Sequence, residues 1–270
     1  MHARSALFDV YGDHLRPRGG AAPVAALVRM LASLDIAAPA VRTAISRMVR
    51  QGWLAPSRLD GGRGYALTDR AHQRLDDAAG RIYRTRDVEW DGFWDLLVVD
   101  PVANRSARDR VRSGLSFLGY AALTDSTWIS PFASPEVDAV LAAENAEAAR
   151  FAAKDGDPRA RAQQAWDLDS LAAAYRSWHV EAQELVRRPG TALSRVELGS
   201  DDEAAFAVRS HLVHEWRKFL FTDPGLPPEL LPEEWPGHTA GDFFAQEASR
   251  LLPAASRFVD LCLHDPTRVE

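Results

Sequence analysis

The chain has 270 residues, 46% hydrophobic and 26% charged, with a formal net charge of −6. That composition excludes global disorder and leaves room for two domains or one large one. A single cysteine, Cys262, excludes an intramolecular disulfide and points to a reducing, cytoplasmic compartment. No apolar run approaches the ~18 residues of a membrane span, and the opening MHARSALFDVYGDHLR lacks the apolar core of a signal peptide. Charge is distributed unevenly. Residues 1–86 hold fourteen arginines against seven aspartates, a net of +7, whereas the remainder holds eighteen basic against thirty-one acidic residues, a net of −13. A basic first third on an acidic body is the asymmetry of a nucleic-acid-binding module joined to a part that binds none.

In chain order, Ser5 to Leu15 reads as a first helix with Leu7, Val10, Tyr11, His14 and Leu15 at helical spacing, ended by Arg16-Pro17-Arg18-Gly19-Gly20. Pro23 to Leu34 gives a second helix, and Asp35-Ile36-Ala37 a tight turn. The stretch APAVRTAISRMVRQGWL, Ala38 to Leu54, is the most informative. At about 100° per residue, Val41, Ala44, Ile45, Met48 and Val49 share one arc. Arg42, Thr43, Ser46, Arg47 and Arg50 fill the other. A solvated helix face ordinarily mixes signs, because acid–base pairs one turn apart stabilise it. This face has no acid, so it suits an anionic partner. Pro39 sits in the first turn, where a missing N–H is harmless, and Gly52 is the stop signal.

Trp53–Arg58 and Tyr65–Thr68 then read as a β-hairpin around Leu59-Asp60-Gly61-Gly62-Arg63-Gly64. Helix, polar helix and hairpin together predict a winged helix-turn-helix that puts the polar helix in the DNA major groove. The alternative is a surface helix beside a hairpin in an unrelated α+β fold. Arg58 and Arg63 lie on the wing. Arg16 and Arg18 flank a loop near the turn, placed to touch phosphates without reading sequence. Thr68 caps a following helix, Asp69 to about Arg86.

From Asp91 the pattern becomes strand (Phe93–Val99), helix (Arg105–Phe117), hairpin (Gly119–Leu123 and Thr127–Ser130), helix (Pro135–Asn145) and strand (Ala148–Ala153). The order βαββαβ is a ferredoxin-like unit. Asp155-Gly156-Asp157-Pro158 marks a linker. Beyond it the chain is helical over Ala160–Gln164, Leu168–Arg187, Asp201–Phe221 and Ala240–Cys262. The predicted fold is therefore α+β: a winged helix-turn-helix over 1–86, a ferredoxin-like domain over 87–154 and a helical effector and dimerisation domain over 155–270. His211 and His214, with Glu215 adjacent, have metal-like spacing, but they read as a polar helix face with partly buried imidazoles. No metal site is expected. Trp178, Trp216, Trp235, Phe243 and Phe244 read mainly as core. No G-x-S-x-G, C-x-x-C, P-loop or G-x-G-x-x-G motif is found, so an enzyme is not expected.

The runs SALFDVYGDHLRPRGG, VRTAISRMVRQGWL, YALTDRA, GRIY, GFWDLLVV, GYAALTDSTWISP, WDLDSLAAAYRSW and LVHEWRKFLFTDPGLPPELLPEEWPG together resemble the phenylacetate-catabolism repressor family, the PaaX-type regulators. The resemblance covers nearly the whole chain, although this wing is less basic than the family's. It implies a cytoplasmic, dimeric repressor of an aromatic-acid catabolic operon. Such a repressor binds double-stranded operator DNA and is released by an aryl-acyl-CoA effector such as phenylacetyl-CoA. No cofactor and no membrane is implied. The effector's phosphates need a local basic patch on the acidic body. Arg217 and Lys218 beside Trp216 and His214, with Arg209 two turns earlier, supply one, expected to face the ferredoxin-like domain near Trp128. The run LLVVDPVANRSARDRVRSGLSFLGY is also similar to the small CRISPR-adaptation endoribonuclease family, where an Asp after the first strand binds metal. Asp100 holds that place, which leaves a metal-dependent nuclease as one alternative. A nucleic-acid-binding assembly protein without a switch is the other.

Overall fold

The computed structural model describes residues 1–59, 62–82, 89–102, 104–188 and 198–265. The tip of the expected hairpin turn, Asp60 and Gly61, and the expected continuation of its following helix from 83 to 86 lie outside the described residues. Two compact units emerge: Met1–Arg86 with Arg176–Lys218 and His238–Glu270, and Asp87–Tyr175 with Phe219–Gly237. The C-terminal helices, expected to form a part of their own, are shared between these two.

In the first unit α1 spans Ala3–Val10. The sequence predicts one helix to Leu15, but at Tyr11 the backbone widens into a π-helical turn, Tyr11–Leu15, and then tightens into a 3-10 turn, Arg16–Arg18. A π turn carries no residue signature and marks a place where packing overrides the regular repeat; Tyr11, His14 and Leu15 are all buried in it. Next come β1 (Ala21–Pro23), α2 (Val24–Ala32), α3 (Ala38–Arg50), β2 (Leu54–Leu59), β3 (Gly62–Leu67) and α4 (Asp69–Ile82). The three strands form an antiparallel sheet in the order β1-β3-β2. Gly64 is required where β1 meets β3, because a Cβ there would lie 2.6 Å from the Ala22 carbonyl oxygen.

In the second unit β4 (Trp94–Val99), α5 (Arg105–Phe117), β5 (Ala121–Ala122), β6 (Thr127–Ser130), α6 (Val137–Ala142) and β7 (Ala148–Ala153) build a sheet in the order β5-β6-β4-β7. Every neighbouring pair is antiparallel, which is the ferredoxin-like arrangement expected. Asn104 caps α5 by accepting from the Ala107 amide at 2.8 Å. Leu97, Val111, Leu115, Tyr120, Trp128 and Leu141 make its core. The helix α7 (Pro158–Ala165) follows, and α8 spans Leu168–Arg187.

The remaining helices are α9 (Asp201–Trp216), tightened into a 3-10 turn over Arg217–Phe221, and α10 (Pro236–His264). Phe206, Val208, Phe258, Val259 and Cys262 from α9 and α10 belong to the same apolar cluster as Leu7, Leu27, Met30, Ile45 and Met48 of the N-terminal segment. That segment therefore has no core of its own that closes without them. Phe206 joins the two parts directly, with its ring 5.1 Å from His14 and 5.2 Å from Phe258. Beside it runs a polar seam. Arg209 grips Asp13 through two contacts of 2.8 and 2.7 Å and also donates to the Ala248 carbonyl. Asp9 takes His214 Nδ1 at 2.7 Å and lies 2.7 Å from Arg217 Nε. Burial pushes the Asp9 carboxyl above the ordinary range, against the pull of His214 and Arg217. Arg18 reaches Asp260 at 2.8 Å, and Arg29 donates to the Asp265 carbonyl at 2.9 Å. Among the described residues no helix is long and apolar enough to cross a membrane.

Two outcomes follow from this joint. Phe206→Ala leaves a cavity between the N-terminal segment and α10 and lowers stability by about 3–5 kcal/mol in urea denaturation; a change under about 1 kcal/mol would show that the site collapses freely. His14 is 1% exposed, without a hydrogen bond from either ring nitrogen among the described residues, and burial holds its pKa down to about 4. The unfolded chain takes up this proton near pH 6.5 and the folded chain near 4, so the stability His14 contributes is full above pH 6.5 and falls as pH drops toward 4. The fall is at most about 3 kcal/mol. Unfolding curves of His14→Phe, whose ring keeps the contact with Phe206, should be flatter than wild type between those two pH values; parallel curves would remove His14 from the pH response.

Candidate nucleic-acid interface

The surface built on α3 is set by which of its faces is buried. Val41, Ala44, Ile45 and Met48 are at most 5% exposed, inside the cluster with α1 and α2. This leaves Arg42, Thr43, Ser46, Arg47 and Arg50 all exposed on the opposite arc. The Thr43 hydroxyl donates to the Pro39 carbonyl at 2.9 Å and the Ser46 hydroxyl to the Arg42 carbonyl at 3.0 Å. Both protons are thus used inside the helix, and outward the two oxygens act as acceptors. The guanidinium groups of Arg42, Arg47 and Arg50 make no ion pair or hydrogen bond among the described residues. Three donor forks therefore stand on one face with no carboxylate to neutralise them.

The end of α3 is fixed to the hairpin. Gly52 takes φ +72, the left-handed stop expected of it. Its carbonyl accepts from Thr68 Oγ1 at 2.8 Å, and Thr68 Oγ1 in turn accepts from the Ala71 amide at 3.3 Å as the cap of α4. The Tyr11 hydroxyl donates to the Tyr65 carbonyl at 2.8 Å, tying the π turn to β3. On the hairpin Arg58 and Arg63 are cross-strand partners. Like charges directly opposite each other destabilise a sheet, so this pairing costs the hairpin stability and concentrates positive charge on it.

The other expected contacts are placed differently. Arg16 pairs with Asp76 and Arg18 with Asp260, so a phosphate would have to displace a carboxylate from each. Two arginines that sequence reasoning passed over are ordered instead by aromatic rings. The Arg70 guanidinium lies 4.9 Å from the Trp53 ring, that of Arg4 5.5 Å from Phe8, and the two rings meet edge to face at 5.3 Å. In so arginine-rich a sequence, only Arg4 carried a local signal, an aromatic one turn away at Phe8; Arg70 meets Trp53 from across the fold.

The residues expected to hold an effector are buried or already paired. Arg209 and His214 side chains are 4% and 12% exposed and, with Arg217, are held by Asp13 and Asp9. Lys218 pairs with Glu215. Trp216 is buried, donates to the Ile82 carbonyl at 3.0 Å and stacks on Phe244 at 4.8 Å. Trp128 is 3% exposed in the core of the second unit, under the Arg112 guanidinium. Sequence shows these cations but not Asp9 and Asp13, about 200 residues earlier, which neutralise them. Asp100 is exposed at the end of β4. Among the described residues no group of three or more His, Cys, Asp or Glu side chains could hold a metal ion.

Known proteins add a consistent picture. A family profile described as PaaX-like protein matches residues 2–71, one described as PaaX protein central Cas2-like domain matches 87–165, and one described as PaaX-like protein C-terminal domain matches 166–261. The Transcriptional repressor PaaX of Escherichia coli (strain K12) is 31% identical over 264 residues, which is 94% of this chain and 82% of that protein. The solved structure of uncharacterized protein Rv0674 from Mycobacterium tuberculosis is similar with a TM-score of 0.65 and 25% identity, over 95% of this chain and 98% of that one. With the profiles in the order of its own segments and a relative aligned along almost its full length, the chain belongs to the PaaX-like family.

Proposed function

We propose that this protein is a cytoplasmic transcriptional repressor that binds operator DNA as a homodimer through α3 and the β2–β3 hairpin, used as a winged helix-turn-helix. The observation that carries the reading is the set of exposed guanidiniums of Arg42, Arg47 and Arg50, uncompensated by acid among the described residues. Arginine forks match the acceptor edge of guanine in the major groove. Thr43 and Ser46 offer acceptors to the same groove, and Arg58 and Arg63 suit flanking phosphates. Arg16 and Arg18, held by Asp76 and Asp260, brace the domain. One such surface covers half of a two-fold operator, so two copies are needed.

The relative's name supports a repressor, and the family resemblance supports a phenylacetate-type operon released by an aryl-acyl-CoA. Because Asp9 and Asp13 hold Arg217, His214 and Arg209, an effector whose phosphates used that patch would have to break the seam that fixes the N-terminal segment to α9. Release of DNA by that route needs a differential affinity for the two states.

The test is a shift assay on DNA upstream of the protein's own gene, with and without phenylacetyl-CoA. Arg42→Ala or Arg47→Ala should each relax one operator position by about 1–3 kcal/mol. Arg58→Ala and Arg63→Ala should weaken all sequences alike and flatten the salt slope by about 0.9 per lost contact. Arg16→Ala and Arg18→Ala should leave that slope unchanged. Unaltered affinity in both Arg42→Ala and Arg47→Ala would remove α3 from the interface, and a full-length monomer in sedimentation at micromolar concentration would remove the dimer.

A further inference from the structure

In the first unit α8 and α9 enclose a cleft of ≈ 160 Å³ that neither DNA binding nor the seam to Asp9 and Asp13 uses. Its walls are apolar: Trp178, Ala182 and Leu185 from α8, at helical spacing, and Leu212 from α9. Trp178, Ala182 and Leu212 are 6%, 4% and 1% exposed, so they form the floor. The Trp178 ring is fixed from behind by Trp216 at 4.7 Å and Phe244 at 6.3 Å. An apolar cavity of about 150 Å³ accepts one benzene ring, so this floor is sized for a single aromatic group.

The polar lining decides what that group carries. Glu181 is exposed and Glu215 is 41% exposed, so both stand at the rim. Glu181 Oε1 accepts from the neutral Ser177 hydroxyl at 3.0 Å, whereas Glu215 already pairs with Lys218 and has His214 Nε2 at 4.0 Å. His211, the third polar residue, is held neutral at pH 7: burial lowers its pKa, and the N-terminal ammonium and His214 add to that. Glu181 itself is paired with no cation among the described residues, so an ammonium brought here would meet an open acceptor, whereas a carboxylate or phosphate would meet a like charge.

We propose that this cleft is a binding site for an arylalkyl amine, its ring against Trp178 and Leu212 and its ammonium on Glu181. The site lies on the helix whose Arg209, His214 and Arg217 side chains hold Asp13 and Asp9, so occupancy bears on the N-terminal segment through α9. It is a second ligand class, distinct from any acyl-CoA, and stands whether or not that effector binds.

The experiment is calorimetry on the full-length protein at pH 7 with 2-phenylethylamine as the probe and phenylacetate as the matched anion. The amine should bind one per chain and the anion at least about tenfold more weakly. Glu181→Gln should weaken the amine about tenfold without changing the far-ultraviolet circular dichroism, and Leu185→Trp, which fills the slot from its half-buried edge, should abolish binding in a folded protein. No binding of the amine at millimolar concentration, equal binding of phenylacetate, or amine binding unaffected by both substitutions would each overturn the assignment. Phenylacetyl-CoA, titrated separately in the operator assay, reports on the effector and leaves this result untouched.

Discussion

Asp9 and Asp13 are four residues apart on the first helical segment, and both are buried where a carboxylate without a partner would be strongly disfavoured. Their partners, Arg209, His214 and Arg217, come from a helix near the other end of the chain. Neither set is tolerable alone, since removing one side of a buried pair leaves the other uncompensated. The aromatic contacts of Phe206 with His14 and Phe258 run alongside. Polar matching and apolar packing together make the N-terminal segment and the last helices a single folding unit. The position of α3, and with it the whole arginine face, depends on that match.

Much of this was legible in the residues. The 3.6-residue spacing of Val41, Ala44, Ile45 and Met48 fixes which face of α3 is buried, and the arginine face follows by exclusion. The βαββαβ order was legible because its strands are short apolar runs bounded by turn residues. Helix α6 is shorter than expected, Val137–Ala142, because an alanine-rich stretch gives no sharp end. The π turn at Tyr11–Leu15 was not legible, since its residues suit an ordinary helix and only the need to bury Tyr11, His14 and Leu15 together distinguishes it.

The site residues divide along the same line. Local patterning finds groups that share one helix face, such as Arg42, Arg47 and Arg50. It cannot find cancellation between distant segments. A cluster of cations around Trp216 looks like a phosphate site until Asp9 and Asp13 are placed against it, and Arg16 and Arg18 look like phosphate contacts until Asp76 and Asp260 arrive. A cation in sequence is a ligand candidate only once its carboxylates are known. The amine-sized cleft was hidden for the converse reason: its two walls lie on separate helices, and neither Trp178 nor Glu181 is unusual on its own.

The discontinuity of the first unit has a consequence for how the protein is made. A domain usually folds as it leaves the ribosome, N-terminal part first. Here Leu7, Met30 and Ile45 share their core with Phe258, Val259 and Cys262, so the N-terminal segment emerges long before the helix that completes it. Until α9 is synthesised, that segment carries a pair of unmatched aspartates, and until α10 follows it exposes an open apolar face. The arginine face of α3 is then fixed in place only in the finished chain, so a ribosome that stalls or terminates early releases no fragment that presents it on a closed core.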